Sequence, residues 1–112
     1  MLYKYNKLVR DNIINIINSK GNKANYRVLD DKEYIDELNK KLLEEANEFI
    51  EDNSVEELGD VMEVIESIMK VKNISWDDVR KEQDIKREKN GGFRDKIYLE
   101  SVEEDIVKGR SK

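Results

Sequence analysis

Apolar residues recur with the α-helical period of 3.6 residues in two neighbouring segments near the middle of the chain. The first segment runs from about residue 31 to residue 52, and the second from Ser54 to about residue 72. Their apolar positions are Ile35, Leu38, Leu42, Ala46, Phe49 and Ile50, then Val55, Leu58, Val61, Met62, Val64, Ile65, Ile68, Met69 and Val71. Because only the polar break Asp52-Asn53-Ser54 separates the segments, we predict two long helices that pack as a hairpin.

Two further helices are predicted outside this hairpin. One is capped by Asp11 or Asn12, carries an isoleucine-rich core face and ends at Gly21, and the other begins at Ser75 and continues past Ile85. Two short β-prone segments, at residues 26–28 and 97–99, and a polar tail over residues 103–112 that we expect to be frayed complete the chain. The fold class predicted for the 112 residues is therefore all-α, in a single domain organised around the central hairpin.

Each helix of the hairpin carries two acidic residues three positions apart, Glu45 with Glu48 and Glu57 with Asp60. Residues at this spacing share one helix face, so packed helices can bring the four carboxylates to one point. Converging carboxylates repel one another unless a cation lies among them. Mg²⁺ prefers oxygen ligands divided between carboxylates, water and the phosphates of a substrate. The pattern predicts a magnesium site for a phosphorylated substrate.

Glu57 is the acid that most needs an explanation. At roughly 100° per residue, Glu57 falls inside the apolar arc of its helix and Asp60 at the edge of that arc. Glu45 falls at the border of the stripe on the other helix, and Glu48 just outside it. A buried carboxylate requires compensation, which a metal ion would supply. A capping box with Ser54, or a salt bridge, is the alternative.

Gly59 lies inside the second predicted helix, next to these acids. Glycine in a helix interior costs about 1 kcal/mol relative to alanine. A close approach of the two helices would explain its presence, so we expect tight packing at this position.

The composition excludes several classes of function. The chain has no cysteine and no histidine, which excludes disulfides, thiol catalysis and Ser-His triads and effectively excludes zinc sites. A net charge of -5 argues against a protein that coats duplex nucleic acid. We find neither a signal peptide pattern nor an apolar run that could cross a bilayer, and we expect a cytoplasmic protein without membrane contact. With 42% charged and 38% hydrophobic residues, oligomerisation is also expected.

Basic residues supply candidate phosphate contacts in two places. Lys7 and Arg10 precede the first helix, and ordinary solvated charges are the alternative. Near the other end, Gly91 and Gly92 allow backbone N–H groups to approach an anion, and a plain loop is the alternative there. This glycine turn lies within a basic frame formed by Lys86, Arg87, Lys89, Arg94 and Lys96.

The acidic segments Glu45-Ala46-Asn47-Glu48 and Glu57-Leu58-Gly59-Asp60 together resemble a known signature. It is the E-x-x-E … E-x-x-D pattern of the all-α nucleoside triphosphate pyrophosphatases, a superfamily that includes MazG, dimeric dUTPases and phosphoribosyl-ATP pyrophosphohydrolase. The segments YNKLVRDNI and KREKNGGF…IYLE are similar to a small branch described as phosphoribosyl-ATP pyrophosphohydrolase-like. The resemblance covers residues 5–100.

The resemblance implies an antiparallel helical bundle of MazG-like type, usually a homodimer or a dimer of dimers. In this bundle Glu45, Glu48, Glu57 and Asp60 bind Mg²⁺, or Mn²⁺ in its place. The implied reaction is attack of a metal-activated water on the α-phosphorus of a nucleoside triphosphate, which releases pyrophosphate and a nucleoside monophosphate. House-cleaning of unusual nucleotides is the implied role, with Glu45 or Glu48 as the general base. The expected phosphate contacts are Lys41, Lys86, Arg87, Gly91, Gly92, Arg94, Lys7 and Arg10.

The gap between the two acidic pairs is short, which leaves little room for the insertions that contact substrate elsewhere in the superfamily, so the base of the nucleotide is not determined.

Three alternatives to this reaction remain. Cleavage of phosphoribosyl-ATP is a second reaction open to the same fold. The chain can also be read as a non-catalytic helical module that binds a nucleotide or a partner protein, or as a structural bundle with solvated acids.

Overall fold

The computed structural model describes residues 1–104 and contains four α-helices. They are α1 (Ile13–Ser19), α2 (Asp31–Asp52), α3 (Val55–Val71) and α4 (Trp76–Asn90). Residues 1–104 form no β-strand, so the all-α prediction is confirmed. Most of the tail that was predicted to be frayed, residues 105–112, lies outside the described residues.

The chain divides into two compact units at Ser75. The first unit contains α1, α2 and α3, and the second begins at Trp76 with α4 and contains the glycine turn. A single domain over residues 1–112 stays a prediction. None of the helices within residues 1–104 combines the length and the apolar character needed to cross a bilayer.

Local sequence signals set the ends of α2 and α3. The Asp30 side chain caps α2 by accepting a hydrogen bond from the Glu33 N–H at 2.8 Å. At the other end, Asn53 adopts the left-handed conformation (φ 51°) that commonly stops a helix. Ser54 then caps α3 by accepting a hydrogen bond from the Glu57 N–H at 3.1 Å. Only Asn53 and Ser54 therefore separate two helices that pack against each other.

The core of the first unit lies between α2 and α3. Leu38 of α2 is only 3% exposed, and Val64 and Met69 of α3 are also buried. The ends of the helices next to the connection are less covered than the apolar pattern suggests, because Ile50 and Val55 are exposed. The apolar arc of α3 is wider than one partner helix can cover, which leaves part of it open within the described chain.

Helix α1 and the β-prone segments differ from their predictions in detail. Asn12 holds the position before α1, but its side chain makes no capping bond and accepts from the Asn15 side chain at 3.1 Å instead. Three isoleucines of α1 are half-buried, while Ile16 is exposed. Residues 26–28 and 97–99 are not strands, since a short extended segment is stable only when it pairs with another.

The expectation of a close helix approach at Gly59 is wrong. A Cβ added there would meet no other part of the described chain within 4 Å, and the residue is exposed. We therefore expect Gly59→Ala to raise the free energy of unfolding by about 0.5–1 kcal/mol, since alanine restricts the unfolded chain and suits a helix better. Urea denaturation measures this change.

Gly21→Ala is the matched control for this substitution. A Cβ at Gly21 also meets open space, but the backbone there has a φ of +82°, which side-chain-bearing residues rarely adopt. Alanine should therefore destabilise the protein at Gly21 and stabilise it at Gly59. Loss of stability in Gly59→Ala would show that the glycine has a packing role after all.

Candidate metal centre

Packing of α2 against α3 brings three of the predicted acids together. Glu45 of α2 and Glu57 and Asp60 of α3 each offer a carboxylate oxygen, and these three oxygens lie within 4.8 Å of one another. Glu57 and Asp60 share one face of α3 because they are three residues apart. We call these three side chains the acidic cluster. Three oxygens this close together can hold a metal ion.

Within residues 1–104, two carboxylate oxygens of the acidic cluster are buried without a hydrogen-bond partner, Oε2 of Glu45 and Oε2 of Glu57. Glu45 as a whole is only 8% exposed, which makes it the most buried charged residue among residues 1–104. Buried polar atoms in folded proteins are almost always hydrogen-bonded, so each exception requires an explanation. A cation bound by the acidic cluster would compensate the burial of these carboxylates.

The pKa directions agree with this burial. Burial raises the pKa of Glu45, and the neighbouring Glu48 carboxyl raises it further, while Lys41 opposes the change. Burial also raises the pKa of Glu57, followed by the negative charge of Asp60 among other nearby acids. Both shifts mean that the folded protein disfavours the charged carboxylates as they stand.

The capping-box explanation does not account for the Glu57 carboxylate. Ser54 accepts its hydrogen bond from the backbone N–H of Glu57, which a residue of another type at this position would also donate. The return bond of a capping box, from the Ser54 N–H to the Glu57 side chain, is not formed in the described structure, and Glu57 Oε2 has no partner. The cap and the carboxylate are therefore independent features.

Glu48 lies beside the acidic cluster rather than within it. Its side chain is exposed, and it is close enough to the Glu45 carboxyl to raise the pKa of that group. The geometry thus groups three of the four predicted ligands and places the fourth next to them. The general-base role predicted for Glu45 or Glu48 stays a prediction.

The residues that precede α1 bring two cations to this region. The Arg10 guanidinium donates from Nη2 to Oδ1 of Asp60 at 2.7 Å. The Lys7 ammonium lies 3.7 Å from Oε1 of Glu44. We call residues 7–10 the basic arm. Lys7 and Arg10 therefore approach the two helices that carry the acidic cluster.

Lys41 is a third cation at the same place. Its ammonium lies 3.5 Å from Oε1 of Glu45 and 3.5 Å from Oε1 of Glu44. Glu44 is half-buried and pairs with both Lys41 and Lys7. The sequence signal for this role was the i,i+3 spacing of Lys41 and Glu44, which favours a helical ion pair.

The remaining predicted phosphate contacts belong to the second compact unit. The basic residues Lys86 and Arg87 lie in the last turns of α4, and the glycine turn follows this helix. A cavity of about 300 Å³ is lined by residues 90–97, which include Gly91, Gly92 and Arg94. Gly91 has a φ of +85°, which explains a glycine at that position. Contact of these residues with a phosphate stays a prediction.

Comparison of the chain with protein-family models, with curated proteins and with solved structures found no match. The chemistry of this protein is therefore inferred from the acidic cluster and from the cations around it.

Proposed function

We propose that the protein is a Mg²⁺-dependent nucleoside triphosphate pyrophosphohydrolase that converts a nucleoside triphosphate to the monophosphate and pyrophosphate, with unusual nucleotides as its substrates. One observation carries this proposal. Glu45, Glu57 and Asp60 converge within 4.8 Å, and two of their oxygens are buried without a partner. Arg10 and Lys41, which pair with carboxylates of the same cluster, supply positive charge for the binding of a polyphosphate.

The donor set fits a hard divalent cation. All three side chains offer oxygen, and the chain has no histidine or cysteine that would favour zinc. Mg²⁺ is the ion we expect, and Mn²⁺ has similar ligand preferences. Such an ion, when bound, polarises a phosphoryl oxygen and lowers the pKa of water.

Side chains of the protein accept the proton and bind the phosphates in the proposed reaction. Glu48 is exposed and lies beside Glu45, so it is the carboxylate best placed to accept a proton from the attacking water. Glu45 is the alternative base. Lys41, Lys7 and Arg10 bind phosphate oxygens and stabilise the charge that develops on them. Lys86, Arg87, Gly91, Gly92 and Arg94 belong to the second unit and stay predicted phosphate contacts.

The proposal also includes the arrangement of the helices and the oligomeric state. The two-residue connection between α2 and α3 supports an antiparallel hairpin within a MazG-like bundle. The same two helices expose large apolar side chains, which supports a homodimer or a dimer of dimers that covers them. These residues are Leu43, Ile50, Val55 and Leu58.

Pyrophosphate release tests the proposed activity. The assay uses ordinary and damaged nucleoside triphosphates together with phosphoribosyl-ATP, each with and without Mg²⁺. We expect release that requires Mg²⁺ and is fastest with one or a few of the damaged nucleotides. Fastest release from phosphoribosyl-ATP would instead assign the protein to the second reaction.

Calorimetric titration with a non-hydrolysable triphosphate in the presence of Mg²⁺ completes this test. Binding without pyrophosphate release from the hydrolysable nucleotides would favour a non-catalytic nucleotide-binding module. Absence of both binding and release would contradict the proposed function.

A further inference from the structure

The basic arm contacts both helices of the candidate metal centre. Lys7 pairs with Glu44 of α2, and Arg10 pairs with Asp60 of α3, which lies 50 positions away in the sequence. Asp60 belongs to the acidic cluster itself. The guanidinium of Arg10 therefore lies at the point where a bound cation would share a carboxylate with it.

The contact between Arg10 and Asp60 leaves most of the guanidinium free. In the described part of the chain, Nη2 alone donates and Oδ1 alone accepts, although a guanidinium has five N–H donors. The Arg10 side chain is 58% exposed and makes no other hydrogen bond within residues 1–104. Donors that are free and beside a metal centre suit the oxygens of a phosphate.

Two positive groups on one carboxylate conflict with each other unless an anion joins them. A divalent cation held by Asp60 would repel the guanidinium that is already paired with the same carboxylate. A phosphate that contacts both the cation and Arg10 removes this repulsion and adds charge-assisted hydrogen bonds. Arg10 should therefore weaken the binding of a bare cation and strengthen the binding of a cation that carries a phosphate.

We propose that Arg10 makes metal binding and polyphosphate binding interdependent, so that the acidic cluster disfavours a bare divalent cation and favours a cation that arrives chelated to a polyphosphate. This inference rests on the proposed function, because it takes the acidic cluster to be the metal centre. It adds the class of ligand that the centre selects, which is a Mg²⁺–polyphosphate chelate, and the residue that makes the selection.

Calorimetry of Arg10→Gln at low ionic strength tests the inference without a turnover assay. For Mg²⁺ alone we expect binding about tenfold tighter than in the wild type, because a repelling charge has been removed. For inorganic triphosphate in saturating Mg²⁺ we expect binding about tenfold weaker, because charge-assisted hydrogen bonds have been lost. Arg10→Lys keeps the charge and should retain the weak binding of Mg²⁺ alone.

Lys4→Gln is the matched control. Lys4 lies in the same non-helical segment, is exposed and has no ion pair within the described part of the chain. Its substitution changes the net charge by the same amount and should leave both affinities nearly unchanged. An equal shift in Lys4→Gln and Arg10→Gln would overturn the inference, since net charge alone would then explain it.

The outcomes also separate this inference from the proposed function. If wild-type protein binds Mg²⁺ and Arg10→Gln binds it equally or more weakly, the inference is overturned and the metal centre stands, with Arg10 only orienting Asp60. If the wild type binds neither Mg²⁺ nor its triphosphate chelate, both the metal centre and the inference are overturned. Opposite changes for the two ligands in Arg10→Gln support the inference.

Discussion

Glu57→Gln should abolish Mg²⁺ binding and pyrophosphate release while the helices of the first unit remain folded. The substitution keeps the size of the side chain but removes the negative charge of a half-buried member of the acidic cluster. A hard cation binds an amide oxygen more weakly than a carboxylate, and the remaining acids do not replace the lost charge. We expect the affinity for Mg²⁺ to fall by more than the roughly 100-fold seen when a residue that only orients a metal ligand is changed.

The stability of Glu57→Gln separates this explanation from simple misfolding. Because burial raises the pKa of Glu57, the charged form destabilises the metal-free fold at neutral pH. We therefore expect the metal-free melting temperature of the variant to equal or exceed that of the wild type. The increase in melting temperature on addition of Mg²⁺ should disappear, because the cation no longer binds.

Asp60→Asn should have the same effect on turnover, but it is the less selective variant. Asp60 is also the partner of Arg10, so its substitution removes an ion pair as well as a ligand. Glu66→Gln is the matched control on the same helix, since Glu66 is exposed and has no ion pair within residues 1–104. Full activity in both Glu57→Gln and Asp60→Asn would contradict the proposed metal centre, whereas Glu66→Gln should retain full activity.

The helices could be predicted from the sequence because their signals are local. Asp30 and Ser54 are capping residues followed by regular apolar periodicity, and the structure places the starts of α2 and α3 directly after them. The helical wheel also placed Glu57 inside the apolar arc of α3, and one of its carboxylate oxygens is buried in the structure. That inference required only the positions of apolar residues within one helix.

The depth of burial around the site could not be predicted, because it depends on which faces meet. Glu45 was placed at the border of its apolar stripe, yet it is more buried than Glu57. Ile50 belongs to the same stripe and is exposed. A periodic pattern gives the direction of a side chain from its own helix but not the surface that covers it. The same limit explains the wrong expectation at Gly59.

The ion pairs at the site could not be predicted from the sequence for a different reason. Arg10 and Asp60 are 50 positions apart, and no spacing rule relates residues so distant in the chain. Lys7 and Arg10 were predicted as phosphate contacts from their charge alone, and the structure adds that they face acids of α2 and α3. Long-range pairs of this kind follow only from the packed arrangement of the elements.

In the absence of divalent cations, the contribution of Glu45 and Glu57 to stability should fall as the pH rises. The pKa of each carboxyl is raised in the folded state above its ordinary value of 4.5. Stability from an acid with a raised folded pKa is fully present below the unfolded pKa, and it is lost as the pH rises through the folded pKa. The fall should therefore begin near pH 4.5 and extend upward from there.

The double variant Glu45→Gln/Glu57→Gln isolates this contribution from the other titrating groups. Melting temperatures of the wild type and the double variant, measured without cations over the same pH range, should diverge as the pH rises, and the wild type should become the less stable protein. Parallel curves would show that the two carboxyls do not have raised pKa values in the folded state.

Mg²⁺ should offset this loss, and its effect should grow over the same pH range. The cation binds carboxylates only after their protons have left, so binding competes with protonation at low pH and is complete above the raised pKa values. At a concentration 100 times its Kd, a ligand that binds only the folded state stabilises it by about 2.7 kcal/mol. The double variant should show no such gain. A Mg²⁺ effect that is equally large at low and high pH, or that persists in the double variant, would mean that the cation binds outside the acidic cluster.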